Sequence, residues 1–407
     1  MLNTTSIILI IASVAIAAML PLCSAYFRRL RKARPYTGSD GVKMPPISVI
    51  VSAFDHPELA VLKLASFLNQ EYDGDYEVVL VVDNETIKAD SWKYELESLP
   101  NLHRLKTTYV PDSSHYVGLQ KLAVTLGVKA ASFEWIMLTD CHTEPNSRNW
   151  LNTMARNCYG KDVVLGYTSI AQEKFSVGRQ DSIVSDYRKP FFSKKEKRFD
   201  DFQRFERHLW QLYCLRQAEQ GEPYSAAGGN IMFRKSMFMK GRGYQGNLKF
   251  TFGEYEFLVN TYATKENVAV ETHPDAWCSR DKYSNHEFVL YHRCFQETRK
   301  HLQRKWKHRL LVALDQSVLH LSFPAAFAIM VYSLIHSLWI SAAIAPAMLF
   351  VGLAIREFLV KKSFRRFRIN LSTKLTTHFE LYLLWQQVYY KFDYLRADKS
   401  EFISHKY

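Results

Sequence analysis

The stretch ISVIVSAF, Ile47 to Phe54, is a run of β-branched and apolar residues ending in a serine, an alanine and a phenylalanine. Alternation of apolar and polar residues is absent, so the run reads as a strand buried on both faces, as in a parallel sheet. A helix-like stretch follows from Glu58 to Asn69, then a second apolar strand, YEVVLVVDN (Tyr76 to Asn84). Helical spacing returns from Gly118 to Ala131, and WIMLTD (Trp135 to Asp140) makes a third strand. Strand, helix, strand, helix, strand is the signature of a doubly wound α/β sheet.

Ligands of such sheets bind beyond the carboxyl ends of the strands, where loops place polar groups without disturbing the core. Ser52 to Asp55, Asp83 with Asn84, and Asp140 with His142 occupy those ends. A single aspartate after a strand is commonly a turn former; three polar strand ends in register point to a site. No GxGxxG follows the first strand and no GxxxxGK[ST] occurs, which disfavours dinucleotide and P-loop versions of the fold. Phosphate is then held another way, most simply by a metal on carboxylates.

The chain has 407 residues, 47% of them hydrophobic, and a net charge of +13. Residues 1–27 carry no charged side chain, and Arg28, Arg29, Arg31, Lys32 and Arg34 follow at once. Charge after the apolar run, not before it, marks an uncleaved membrane anchor and not a signal peptide. Asp315 and Arg356 bracket 40 uncharged residues, about 60 Å of helix against a ~30 Å hydrocarbon core. Two crossings with a turn near Ser333 to Ser337 fit, and a hairpin dipping into one leaflet would carry the same flanks. Basic clusters on either side place both hairpin ends in the cytoplasm by the positive-inside bias. Membrane orientation thus accounts for much of the positive charge, and no nucleic-acid partner is expected. Six cysteines show no CxxC or zinc-type spacing. The expected organisation is an anchor (1–27), a basic linker (28–44), an α/β domain (45–310), a transmembrane hairpin (316–356) and a basic, aromatic cytoplasmic tail (357–407).

Six motifs in order, ISVIVSAF, VVDN, LTDCHTEPNSRNWL, GGNIMFRKSMF, GEYEFLVN and QETRKH, resemble the membrane-anchored family 2 glycosyltransferases with their GT-A nucleotide-sugar-binding fold. The resemblance implies an inverting hexosyl-type transferase acting at the inner or plasma membrane in cell-envelope polysaccharide biosynthesis. Its donor would be a nucleotide sugar, its acceptor a lipid-linked or growing glycan, and membrane lipids its surroundings. Ser52, Phe54 and Asp83 then cradle base and ribose, although Phe54 fits core packing equally. Lys121 matches a basic position near the diphosphate, or is a solvated helix lysine. The family's Asp-x-Asp carries Mn²⁺ or Mg²⁺; here it falls on Asp140, Cys141 and His142. Histidine in place of the second aspartate favours Mn²⁺. Gly228, Gly229 and Asn230 would line the donor sugar.

In the family a carboxylate in a Gly-[Asp/Glu]-Asp-[Asp/Glu] cluster takes the acceptor proton. This chain writes Gly253, Glu254, Tyr255, Glu256, so the middle acid is a tyrosine and Glu254 is placed ahead of Glu256 as base; both also suit a helix N-terminus. Gln296 and Arg299 match the family's Gln-x-x-Arg-Trp, with Lys300 replacing the tryptophan, which weakens the case for a processive synthase. Arg299 is otherwise the first juxtamembrane basic residue. These replacements motivate an alternative: a catalytically impaired relative that binds nucleotide sugar or scaffolds a glycan-assembly complex. Finally, Phe199, Phe202, Phe205, Leu209 and Tyr213 form an apolar stripe in the segment Lys189 to Arg216, expected either to pack on the core or to lie at the membrane surface.

Overall fold

A computed structural model describes residues 3–26, 30, 43–53, 57–84, 90–111, 119–171, 194–371 and 376–398. The chain divides into two compact units. One comprises Leu30–Ser193, Arg207–Gln303 and Tyr390–Tyr407, and the other Met1–Arg29, Lys194–Glu206 and Arg304–Tyr389.

The first unit is the α/β domain. Its strands are β1 (Ile47–Ser52), β2 (Tyr76–Asp83), β3 (Leu105–Val110), β4 (Trp135–Asp140), β5 (Thr143–Pro145), β6 (Val163–Leu165), β7 (Thr168–Ile170), β8 (Ile231–Arg234), β9 (Val268–Val270) and β10 (Cys278–Arg280). Seven of them form one sheet in the order β3-β2-β1-β4-β8-β6-β9. Neighbours from β3 through β4 are parallel, as are β6 and β9, and β8 runs antiparallel to both its neighbours. The mostly parallel α/β sheet expected from ISVIVSAF is therefore present, with β1 an interior strand between β2 and β4 and all six of its residues buried. A second sheet orders β5-β10-β7.

The two faces of β1 and β2 take different helices, as the period of two along a strand dictates. Val49, Val51, Val78 and Leu80 join the core that includes Ala60, Leu64 and Phe67 of the helix Pro57–Leu68. Ile50 and Val81 face the helix Leu119–Ala130 at Gly127, where an added Cβ would sit 2.6 Å from an Ile50 methyl. Only a glycine allows so close a helix–strand approach. β3 was not among the expected strands; its half-exposed, threonine-bearing LKTTYV lies at the sheet edge and carries little apolar signal.

The second unit holds three helices long and apolar enough to cross a membrane: Thr4–Leu22, Lys305–Ile335 and Trp339–Arg366, with mean hydropathy of 2.4, 1.9 and 1.9. One N-terminal and two C-terminal apolar helices were expected, and these are they. The hairpin turns at His336–Leu338, where Leu338 N–H donates to Ser333 O at 2.7 Å. Arg356, 1% exposed, meets Asp315 Oδ1 at 2.9 Å and Glu380, and donates to Leu20 O at 3.0 Å. A charge inside an apolar helix pair is tolerated only when paired in this way. The stripe from the segment Lys189 to Arg216 lies on the helix Lys194–Glu219, with Phe202, Phe205, Leu209 and Tyr213 buried; residues 189–193 fall outside the described set.

Candidate functional site

β1 and β4 pair in parallel with Ser52 opposite Asp140, so the two strands end together. Cys141 N–H donates to Ser52 O at 3.0 Å and closes this corner. The Ser52 hydroxyl is buried and donates to Gln120 Oε1 at 3.1 Å. Asp83 ends β2, half-buried, one strand further along. Phe54 lies outside the described residues.

Asp140 is the centre of the arrangement. Its Oδ1 accepts from His142 N–H at 3.0 Å and from the Thr143 hydroxyl at 2.8 Å. Its Oδ2 accepts from the Tyr255 hydroxyl at 2.8 Å. Burial pushes the Asp140 carboxyl up, but the Arg280 charge, His142 and the two hydroxyl bonds outweigh it and hold the group below its ordinary value. Arg280 stands at the end of β10 with its guanidinium 4.1 Å from the Tyr283 ring centre.

Tyr255 belongs to the helix Glu254–Tyr262, whose N-cap is Gly253 at φ 102°. Its hydroxyl also lies beside Gly229, where an added Cβ would meet Thr139 Cα at 2.9 Å and the Tyr255 oxygen at 3.3 Å. The glycine loop, the strand-end aspartate and the GEYE turn thus meet at one point, although Tyr255 lies 115 residues beyond Asp140 in the chain. Gly253 in turn sits against Thr298, where an added Cβ would be 2.8 Å from its methyl. The helix Asn285–His301, which carries Gln296 and Arg299, thereby joins the site. Both side chains are half-buried.

Glu254 and Glu256 open the same helix. Glu256 is buried, and burial followed by the Glu254 charge pushes its carboxyl up to about 7, against the opposing pull of Lys121 and Arg207. Lys121 is completely buried, and its ammonium donates to Phe250 O at 2.7 Å and Phe252 O at 2.6 Å. It braces the loop that delivers Gly253, and burial lowers its pKa to about 8. Asn230 is likewise committed to architecture. Its amide donates to Tyr167 O at 3.0 Å and Ala276 O at 2.9 Å, and accepts from the Trp150 indole at 3.0 Å.

His142 points along a different direction from Asp140: its Nδ1 is 3.8 Å from Asp281 Oδ2. Lys63 joins this pair by donating to His142 O at 2.7 Å and to Asp281. Among the described residues no three His, Cys, Asp or Glu side chains gather as a metal-holding group. Two protein ligands are nonetheless a usual complement for a cation carried on phosphate oxygens. Asp140 Oδ2 retains a lone pair beyond its Tyr255 bond and fits that limited role, whereas the His142 ring would first have to turn from Asp281 toward it.

Sequence reasoning missed Arg280, Lys63, Asp281 and Arg207. Arg280 and Asp281 sit in CSRDKY, whose three-residue strand gives no periodicity to read. Lys63 and Arg207 lie inside helices, where a basic residue ordinarily means a solvated face.

Fold and site together describe an α/β domain whose carboxylate, glycine loop and acid-bearing helix converge at the carboxyl edge of a mostly parallel sheet, in a chain that also carries three apolar helices. Known proteins with a likeness to it are largely glycosyltransferases. No family model matches the chain. Chondroitin synthase of Escherichia coli is 29% identical over 101 residues, which are 25% of this chain and 14% of that protein. The mannosyltransferase PcManGT from Pyrobaculum calidifontis, solved with GDP-Man and Mn²⁺, superposes with TM-score 0.47 and 14% identity over 94% of this chain and 98% of that one. S. aureus TarS, solved with UDP-GlcNAc, gives 0.39 and 15% over 79% and 89%. The 4-diphosphocytidyl-2C-methyl-D-erythritol synthase from Anaerococcus prevotii gives 0.36 and 13% over 60% and 94%.

Proposed function

We propose that the chain transfers a sugar from a nucleotide-sugar donor to a lipid-linked or growing glycan acceptor, with inversion at the anomeric carbon, on the cytoplasmic face of the membrane. The observation that carries this reading is the meeting of Asp140, Gly229 and the Glu254–Glu256 turn, with the Tyr255 hydroxyl 2.8 Å from Asp140 Oδ2. A donor laid across the strand ends would set its base near Ser52 and Asp83 and its diphosphate near Asp140 and Arg280. The sugar would then lie toward the glycine loop. Gln296 and Arg299 would close the same edge.

A base for the acceptor hydroxyl should titrate near the working pH. Glu256 has that property, and Glu254, beside it in the first turn, is the neighbour whose charge helps set it. Taking the acceptor proton onto Glu256 leaves the oxygen free to attack while the nucleoside diphosphate departs on the opposite side. Arg280 offers positive charge where the leaving group develops negative charge. A divalent ion on Asp140 and His142, Mn²⁺ in preference to Mg²⁺, would add Lewis-acid charge to the same leaving group.

One observation favours a second reading. Tyr255 stands where the resemblance calls for a carboxylate, and it is bonded to Asp140. A protein that binds nucleotide sugar without turning it over would tolerate this replacement. The full chain, purified in detergent and offered a panel of nucleotide sugars with Mn²⁺, Mg²⁺ or chelator, separates the two. Release of nucleoside diphosphate supports transfer. Binding without release supports the second reading, and donor binding unchanged by Asp140→Ala removes the site from both.

A further inference from the structure

The helix Thr377–Arg396 is apolar on two opposite faces. Phe379, Leu383, Tyr390 and Tyr394 are buried. On the other side Tyr382, Trp385, Val388, Tyr389, Phe392 and Leu395 are 44%, 65%, 39%, 55%, 59% and 66% exposed. At 100° per residue the six exposed side chains fall within an arc of about 140°, a continuous stripe along about four turns. The four aromatics alone, at ~200 Å² each and roughly half exposed, present on the order of 400 Å² of ring surface. Soluble proteins rarely leave a contiguous apolar patch of this size in water.

Depth identifies what covers the stripe. Glu380, in the helix's first turn, is bonded to Arg356, and Leu381 O accepts from the His320 ring at 3.3 Å. Both partners belong to the apolar hairpin. Asp315, the other partner of Arg356, lies 20 residues before Ile335, the end of its helix at the hairpin turn, and Arg356 lies 17 residues after Trp339, where the second helix begins. At ~1.5 Å per residue these are about 30 and 26 Å, the thickness of a ~30 Å hydrocarbon core. The ion cluster therefore sits at the boundary opposite the turn, and the helix leaves the hairpin at that level. Leu314, Leu321, Ile355 and Phe358 of the hairpin are themselves 44–63% exposed, so the stripe continues a lipid-facing surface. Trp and Tyr are the residues that favour this boundary, and the exposed Lys391 and Arg396 complement phosphate headgroups.

We propose that the helix Thr377–Arg396 lies in the plane of the membrane interface with its Tyr382–Leu395 stripe seated in lipid. The placement holds whatever chemistry the α/β domain performs. It is distinct from the anchor and the hairpin, because it runs along the boundary and does not cross it.

The test uses the full chain in a Cys23→Ser background, since Cys23 is half-exposed and the other five cysteines are buried. Nitroxide labels on Trp385→Cys, Phe392→Cys and, as a control on the exposed α/β surface, Glu95→Cys are reconstituted in vesicles of phosphatidylcholine with a minority of phosphatidylglycerol. Relaxation by oxygen is compared with relaxation by a water-soluble nickel chelate. Oxygen exceeding nickel several-fold at 385 and 392, with the reverse at 95, is the expected result. Nickel access at 385 and 392 equal to that at 95 puts the stripe in water and overturns the inference. Shielding of both positions from both reagents overturns it as well, because a protein segment or second copy then covers the face.

Discussion

Removing the Tyr255 hydroxyl isolates the contact that joins the two central motifs. Tyr255→Phe keeps the ring in its buried place and deletes one hydrogen bond, 2.8 Å long, to an ionised carboxylate. Bonds to charged groups contribute roughly 1.5–3 kcal/mol when one partner is removed. For a domain of this size each kcal/mol moves the melting temperature by about 2–4 °C, so the variant should melt roughly 3–12 °C lower at pH 7. Asp140 provides the control. Its folded pKa is depressed, so its bonds stabilise the fold above the ordinary carboxylate range and are lost as pH falls through the folded value. Asp140→Asn mimics that loss at neutral pH. Thermal unfolding of the wild type, both single variants and the double variant makes a cycle. A strong Tyr255–Asp140 bond requires the double variant to lose clearly less than the sum of the singles. Additive losses, or a Tyr255→Phe melting point within a degree of wild type, would refute the contact and with it the convergence of GEYE on LTD.

Further outcomes follow from the site and from the buried ion cluster. If transfer is observed, its rate should rise with pH through about 7 as Glu256 deprotonates; Glu256→Gln should abolish that limb, whereas Glu254→Gln should shift it downward by removing a like charge. In melting scans Glu256→Gln should be stabilising above pH 7. A carboxyl whose folded pKa is raised weakens the fold as pH climbs from its unfolded value through its folded one. Lys121→Met strands the carbonyls of Phe250 and Phe252, and should cost about 2–5 kcal/mol of stability by thermal unfolding. Arg280→Gln should weaken nucleoside diphosphate binding by about tenfold, ~1.4 kcal/mol, in calorimetry without changing the fold. Arg356→Met should lose about 3–5 kcal/mol by leaving Asp315 and Glu380 buried without a cation, while replacing all three by apolar residues should recover most of it.

The difference between what was readable in sequence and what was not follows from how far each signal reaches. β1, β2 and β4 were legible because strands buried on both faces write continuous apolar runs, and the three long helices because lipid demands uninterrupted ones. β3 and the three-residue strands of the second sheet were not, since an edge or a short ladder needs no pattern of its own. The same limit applies to residue roles. Lys121, matched by position to a diphosphate contact, has its ammonium on two backbone carbonyls. Asn230 holds Tyr167 and Ala276. A motif position states which residue type is required near a site; only the tertiary fold states whether its polar atoms face a ligand or the protein.

Tyr255 is the sharpest instance. From the sequence alone, a tyrosine in an acidic cluster reads as a loss. In the fold it becomes a donor to Asp140, and the acid whose pKa sits near neutrality is the very next residue on the chain, Glu256. A one-turn helix opening can exchange such roles cheaply, because its first residues fan around the N-terminus and each reaches a different neighbour. Replacement of the middle acid is therefore compatible with a working base, provided the variant series at Glu254 and Glu256 separates as set out above. If instead Tyr255→Asp creates nucleoside diphosphate release where the wild type has none, the tyrosine is a block, and the nucleotide-binding reading replaces the transferase.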